Sequence, residues 1–184
     1  RGPLSLSRAS LAATGNSNYG WFGGGQPGPF STVDRIDYSN DLATASVRGP
    51  LSLSRASLAA TGNSNFGYFD SGNSSTIDRI NYSNDTSSAS FRLNRSTSNS
   101  NNSAATGNSN FGYFSGGSIT GPNTGNVSNI FRIDYSNDTV LNRRGNLTID
   151  KWVHSATSSS SFGGSPVSYL GAPWVATSPF GYFG

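Results

Sequence analysis

The chain has 184 residues, of which 11% are charged, and its formal net charge at pH 7 is +3. Because the basic residues are spread along the chain without a Lys/Arg run, we expect no nucleic-acid partner. The sequence has no cysteine, which excludes disulfides and cysteine nucleophiles, and no apolar run approaches the roughly 18 residues of a membrane span.

A segment rich in glycine and aromatic residues occurs three times, beginning at Gly15, Gly62 and Gly107. Each copy spells Gly-Asn-Ser-Asn-aromatic-Gly-aromatic-Phe, and the copies are spaced by 47 and 45 residues. Such spacings are typical of arrays in which one supersecondary unit is copied and stacked, including β-propeller blades. The predicted units are unit 1 at 1–47, unit 2 at 48–91, unit 3 at 92–143 and a degenerate unit 4 at 144–184.

Within unit 1, alternation of apolar and polar residues between Gly, Pro and Asn turns predicts four antiparallel strands. No segment has helical periodicity, so the predicted fold class is all-β, built from four-stranded units of about 45–50 residues. The strands of unit 1 are expected near 9–14, 18–23, 32–38 and 43–47.

The third strand of each complete unit carries an Ile and a Tyr two residues apart, which places both on one face. We expect these pairs to be buried at equivalent positions, and we expect the glycines after the second strand to be structural. The pairs are Ile36 with Tyr38, Ile80 with Tyr82, and Ile133 with Tyr135, and the glycines are Gly23, Gly24, Gly116 and Gly117.

Unit 4 lacks the Asp-Arg-Ile-Asp-Tyr strand, and three complete blades do not close a propeller ring, which takes about 4 to 8. Closure is expected from the C-terminal segment, a longer chain or partner copies. Because the motif that opens at Arg1 recurs at Arg48 inside the chain, we expect a processed or partial polypeptide.

The unit resembles a kelch repeat in three features: a basic residue before the first strand, Gly-Gly after the second, and Asp-Tyr at the third. These positions are Arg8, Arg55 and Lys151, then Gly23-Gly24 and Gly116-Gly117, then Asp37-Tyr38 and Asp134-Tyr135. The resemblance implies kelch-like β-propeller blades, partial or closed by oligomerisation. Small residues near Ala45 and Ala89 replace the kelch tryptophan, which implies a blade core that is packed differently or is thinner.

The wording of the repeat, Gly-Asn-Ser-Asn-Phe-Gly-Tyr-Phe followed by Asp-Arg-Ile-Asp-Tyr-Ser-Asn-Asp, resembles virion structural, tail-fibre-like proteins of marine tailed phages. This resemblance implies a non-enzymatic structural or adhesion module located in the virion. Its implied partners are other virion proteins, copies of itself, or a host cell-surface glycan. A secreted, lectin-like propeller of cellular origin is the alternative.

Candidate ligand or interface residues are three arginines and three tryptophans. A ring of arginines on the third strands could bind a carboxylate or a sulfated glycan, or could instead satisfy carboxylates between blades. Tryptophans at loop mouths could stack on sugars, with core packing as the alternative for those on the repeated strand. These residues are Arg35, Arg79, Arg132, Trp21, Trp152 and Trp174.

Neither catalysis nor a resident cofactor is expected, because His154 is the only histidine and cannot build a catalytic triad or a three-histidine zinc site. Oxygen ligands for Ca²⁺ could come from the repeated acidic turns, which contain Asp37, Asn40 and Asp41, then Asp85, then Asp134, Asn137 and Asp138. Local Asx turns explain the same residues without a metal.

Overall fold

The computed structural model describes residues 1–95, 100–119, 125–151, 155–157 and 182–183. Antiparallel strands dominate these residues, which confirms the all-β class, and two 3-10 turns, Tyr38–Asn40 and Tyr82–Asn84, are the helical segments among them. No helix in the described part of the chain is long and apolar enough to cross a membrane.

Units 1 and 2 contain the same four-stranded antiparallel sheet, with the strands in chain order. The first sheet consists of β1 Ala12–Gly15, β2 Tyr19–Gly23, β3 Val33–Asp37 and β4 Ser46–Arg48. The second consists of β5 Leu58–Gly62, β6 Phe66–Ser71, β7 Thr76–Asn81 and β8 Ser90–Asn94.

Three strand limits in unit 1 differ clearly from the prediction, and one of them is the start of the fourth strand, at Ser46 rather than near 43. The other two differ for local reasons. The first strand begins at Ala12, after Ser10, whose φ of 55° is left-handed and interrupts an extended chain. The third ends at Asp37, because the Asp37 carboxylate accepts the Ser39 N–H and caps the 3-10 turn that starts at Tyr38.

Unit 3 repeats the four strands and adds two short ones. Its longer central loop and the segment before its first strand contribute the additions, which pair with each other and extend the sheet. The strands are β9 Ser100–Asn101, β10 Ala104–Gly107, β11 Phe111–Ser115, β12 Ser118–Ile119, β13 Gly125–Asp134 and β14 Thr139–Lys151.

A fourth copy of the innermost strand pair lies in the degenerate unit. Here β15, Ala156–Thr157, pairs with β16, Tyr182–Phe183. Thr157 lies opposite Tyr182, in the register that places Thr14 opposite Trp21 in unit 1. Tyr182 and Phe183 therefore occupy the second-strand position of a fourth unit.

The units stack through their first strands, because β5 lies between β1 and β10, and β15 lies beside β10. Two apolar clusters fill the spaces between successive units rather than the interior of one unit. Trp21 and Tyr82 belong to the cluster between units 1 and 2, and Tyr68 and Tyr135 to the cluster between units 2 and 3.

Whether an Ile/Tyr pair is buried depends on this stacking. Ile80, Tyr82, Ile133 and Tyr135 are buried as predicted. For the first pair the prediction is wrong, because Tyr38 is 50% exposed and Ile36 only half-buried. The reason is that Tyr82 and Tyr135 are covered by the unit before their own, whereas no described unit precedes the one that holds Tyr38.

The structural glycines lie where neighbouring segments approach closely. Gly24 has a φ of +73°, and a Cβ atom there would lie 2.7 Å from the Arg55 carbonyl oxygen of the next unit and against the Leu58 side chain. Gly117 has a φ of +97°, and its Cβ would lie 2.6 Å from the Asn101 carbonyl oxygen. Both positions require glycine for conformation and for space.

Candidate functional site

The third-strand arginines of units 1 and 2 bind an aspartate of the following unit. Arg35 Nη1 donates to Asp85 Oδ2 at 2.9 Å, and Arg79 Nη1 donates to Asp138 Oδ2 at 2.6 Å. Each pair is only partly exposed, so the guanidinium groups are occupied at the junction between units. These contacts support the interpretation in which the arginines join neighbouring units rather than bind an anionic ligand.

The same junction between units 1 and 2 contains an aromatic stack. The rings of Trp21 and Tyr82 are nearly parallel, with centroids 3.9 Å apart, and Trp21 Nε1 donates to Asp85 Oδ2 at 2.9 Å. The Tyr82 hydroxyl lies 2.9 Å from Thr14 Oγ1. Burial raises the pKa of the Tyr82 phenol above its ordinary value.

The junction between units 2 and 3 repeats this arrangement. Tyr135 stacks on Tyr68 with centroids 5.0 Å apart, and its hydroxyl lies 3.0 Å from Thr61 Oγ1. The Tyr68 hydroxyl donates to Asp138 Oδ1 at 2.6 Å, in the role of the Trp21 indole. Burial also raises the pKa of Tyr135. The same set of contacts therefore joins unit 1 to unit 2 and unit 2 to unit 3.

A backbone hydrogen bond repeats as well. The Ser57 N–H donates to the Ser10 carbonyl at 2.7 Å, and the Asn102 N–H donates to the Ser57 carbonyl at 3.1 Å. All three residues have a left-handed φ, of 55°, 58° and 56° along the chain. Because this bond links equivalent residues of neighbouring units, it sets their register.

The hypothesis that the tryptophans stack on sugars fails at Trp21, which is the one of the three that the structure describes. Trp21 is fully buried between units 1 and 2, so a sugar cannot stack on its ring. Trp152 and Trp174 lie outside the described residues, as does His154.

Arg132 occupies in unit 3 the third-strand position that Arg35 and Arg79 occupy in units 1 and 2, but among the described residues it has no aspartate partner. Its guanidinium lies 4.2 Å from the Phe111 ring centre, as Arg35 lies over Tyr19 and Arg79 over Phe66. Within the described ranges, no carboxylate forms an ion pair with Arg132. This arginine is therefore the one of the three that another chain could engage.

A second kind of arginine–aspartate ion pair is buried, and it fixes the loop before each of the first two sheets. Arg8 donates to Asp34 at 2.7 Å and Arg55 donates to Asp78 at 2.8 Å, with all four side chains almost inaccessible. The sequence pattern identified the basic residues but not their acidic partners. The sequence feature that could have indicated these partners is the aspartate of the repeated Asp-Arg-Ile motif. In unit 3, Phe131 stands in place of this aspartate.

A buried ion pair distinguishes the second junction from the first. Arg95 Nε lies 2.9 Å from Asp70 Oδ1, and both side chains are buried. By strand register Asp70 corresponds to Gly23, since each lies opposite the equivalent alanine of the first strand. By backbone bonding Arg95 corresponds to Leu51, since their N–H groups donate to equivalent serine carbonyls.

The acidic turns are occupied by local hydrogen bonds. Asp37 accepts from the N–H and hydroxyl of Ser39, and Asp134 accepts from the same groups of Ser136. These donors lower the pKa of both carboxyl groups. Within the described residues no three acidic or histidine side chains cluster as a metal site, and the hydrogen bonds of Asp37 and Asp134 are those of Asx turns.

A cleft of about 600 Å³ opens where loops of the three complete units converge. The loop between the second and third strands contributes from each unit, and this loop differs in sequence from unit to unit. Among the described lining residues Arg55 alone is charged, and it is buried and bound to Asp78. The lining residues are Pro29, Ser54, Arg55, Ala56, Ser57, Gly72, Asn73, Asn101, Asn102 and Ser118.

The described lining of the cleft therefore offers amide, hydroxyl and backbone groups without a free charge. Sequence analysis predicted variable loops but not their convergence, because the sequence does not show which loops share one side of the stack. The sequence matches no protein-family model, and no curated protein aligns with it.

Proposed function

We propose that this chain is a non-enzymatic structural or adhesion module of a phage particle, in a tail fibre or another virion appendage. In this proposal the four-stranded sheets are kelch-like β-propeller blades that form a rigid scaffold. The variable loops contact other virion proteins or the host surface. The proposed location is the virion.

One contrast carries the proposal. The contacts between units are repeated residue by residue, as in Tyr82 with Thr14 and Tyr135 with Thr61. The loops that differ between units meet instead at one cleft. A constant scaffold with variable loops on one side is the usual design of repeat proteins that bind other molecules.

The second candidate is a secreted, lectin-like propeller of cellular origin. The neutral lining of the cleft favours it, because amide and hydroxyl groups suit the hydrogen-bonding pattern of an uncharged sugar. Both candidates use the same cleft, and they differ in the molecule that occupies it.

Binding of the labelled full chain to host cells, to phage particle components and to a glycan array tests both candidates. The variant Ser54→Trp places a bulky ring at the exposed rim of the cleft, and Leu42→Trp, at a side chain that is 72% exposed elsewhere, is its control. We expect Ser54→Trp alone to weaken binding to cells or particle components.

Dominant, sugar-competable binding to isolated glycans would favour the lectin. Binding that Ser54→Trp leaves unchanged would overturn the assignment of the cleft. Catalytic turnover of a bound molecule would overturn the non-enzymatic role.

A further inference from the structure

Two polar side chains in the cleft have no hydrogen-bond partner among the described residues. They are the Ser57 hydroxyl of unit 2 and the Asn102 amide of unit 3, and both line the cleft and are half-buried. Their backbone N–H groups are already used, in the bonds that link successive units. A hydroxyl and an amide can each donate and accept, so the pair presents both kinds of group to a ligand.

The backbone that holds these side chains is strained. The φ of Ser57 is 58° and that of Asn102 is 56°, and Asn73, a third lining residue, has a φ of 62°. The described chain contains six non-glycine residues with a left-handed φ, and three of them line this one cleft. The register of the units does not require these side chains, because glycine adopts the conformation more easily than serine. Such strain concentrates at binding sites, which makes it a second indication of a ligand.

The surroundings of the two side chains carry no free charge. The guanidinium of Arg55 is fully engaged, because it donates to the carbonyls of Ser71 and Thr76 and to the carboxylate of Asp78. Every Asp, Lys and Arg of the chain lies within the described ranges, and the chain has no Glu. The remaining residues therefore cannot add a carboxylate, an ammonium or a guanidinium group to the cleft.

The size and the small apolar surfaces of the cleft fit the same kind of ligand. Its volume of about 600 Å³ lies within the range of small-molecule sites, roughly 300–1,000 Å³. Pro29 and Ala56 offer C–H surface beside the polar groups. A sugar ring has both hydroxyl groups that donate and accept and C–H faces that pack on apolar surface. An acidic ligand, in contrast, would require a free cation.

We propose that the cleft binds an uncharged saccharide, and that Ser57 and Asn102 determine its specificity by hydrogen bonding to adjacent hydroxyl groups of the sugar. This inference rests on the proposed function, which assigns the cleft as the binding surface, and it adds the chemical class of the ligand. The saccharide comes from a host surface if the chain is a phage module, and from another glycan if the chain is a lectin. The recognition chemistry is the same in both cases.

Glycine substitutions remove the two side chains and keep the backbone. Ser57→Gly and Asn102→Gly retain the left-handed conformation, which glycine adopts freely, so we expect melting temperatures no lower than that of the unaltered chain. Ser10→Gly is the matched control. Ser10 has a φ of 55° and its carbonyl accepts the equivalent backbone bond, but it is not among the residues that line the cleft.

Binding of the full chain to an array of neutral, sulfated and sialylated oligosaccharides tests the proposal. We expect binding to neutral members, and we expect Ser57→Gly and Asn102→Gly each to weaken the affinity about fivefold or more. Ser10→Gly should leave the affinity unchanged. Added salt should leave it within about twofold, because no ion pair forms with the ligand.

Polysaccharide extracted from the host surface is the second probe. Binding of this extract, weakened by Ser57→Gly and Asn102→Gly, would support the inference and identify the host surface as the source of the saccharide. Binding confined to neutral members of the array, weakened by the same variants, would support the inference with a glycan of another source.

Three results would overturn the inference. They are binding to sulfated or sialylated members alone, absence of saccharide binding with both probes, and neutral saccharide binding that Ser57→Gly and Asn102→Gly weaken no more than Ser10→Gly does. If Ser54→Trp weakens binding to cells or particle components while no neutral saccharide binds, the proposed function is retained and this inference alone fails. If Ser54→Trp changes neither kind of binding, the assignment of the cleft fails and this inference fails with it.

Discussion

The ring of Tyr82 in unit 2 stacks on the ring of Trp21 in unit 1 with centroids 3.9 Å apart, and both are buried. The tyrosine comes from the 3-10 turn after the third strand, and the tryptophan comes from the second strand of the preceding sheet. The turn that contains Tyr82 is therefore a connector between units as well as a reversal of the chain.

Replacing the connector tyrosine should destabilise the chain far more in unit 2 than in unit 1. Tyr82→Ala removes a buried ring and should lower the free energy of unfolding by roughly 3–5 kcal/mol. Tyr38→Ala removes a ring that is 50% exposed and should cost less than about 1 kcal/mol. Denaturant unfolding of both variants measures the difference, and equal losses would show that the junction does not depend on this residue.

Replacing Asp70 and Arg95 together should cost little stability, whereas replacing Asp70 alone should cost much more. Asp70→Gly leaves a buried guanidinium without its carboxylate, which should cost about 3–5 kcal/mol. The double variant Asp70→Gly/Arg95→Leu installs the residue types found at Gly23 and Leu51, and it should return to within about 1–2 kcal/mol of the starting stability. Calorimetric unfolding of the unaltered chain and of the two variants compares them, and a double variant as unstable as the single one would contradict the equivalence of the two junctions.

Stability should fall in alkaline solution because of the buried connector tyrosines. Burial raises the pKa of Tyr82 and Tyr135 in the folded chain, whereas a phenol in the unfolded chain ionises near pH 10. The contribution of these groups is complete below about pH 10 and is lost as the pH rises above it.

Thermal melts across this alkaline range test the effect. The variant Tyr82→Phe/Tyr135→Phe removes the two ionisable hydroxyls, so its melting temperature should fall less steeply with pH. Parallel pH profiles for the variant and the unaltered chain would rule out these tyrosines as the source.

Much of the fold could be predicted because the repeat shows the same alternation several times. The all-β class and the burial of Ile80 and Ile133 follow from period-2 patterns within each unit. The half-exposure of Tyr38 could not be predicted that way, because its local sequence is almost the same as that of Tyr82. Its surroundings depend on a neighbouring unit and not on its own strand.

The contacts between units could not be predicted from the sequence for a related reason. Every complete unit has an arginine on its third strand and an aspartate in the following turn, so the sequence does not show whether they pair within a unit or across a junction. Arg35 binds Asp85 of the next unit, which only the stacking reveals. The departures Asp70 and Arg95 were visible in the sequence, but their contact depends on the same stacking.

The central structural claim is that the units are joined by a repeated contact between a connector tyrosine and the first-strand threonine of the preceding unit. A double-mutant cycle in the full chain, using Thr14→Val and Tyr82→Phe, tests it most directly. The pair Thr14→Val and Tyr135→Phe is the matched control, because Tyr135 contacts Thr61 instead. The account predicts a coupling of about 1 kcal/mol for the first pair and additivity within about 0.5 kcal/mol for the control. A coupling for Thr14 and Tyr82 no larger than that of the control would contradict it.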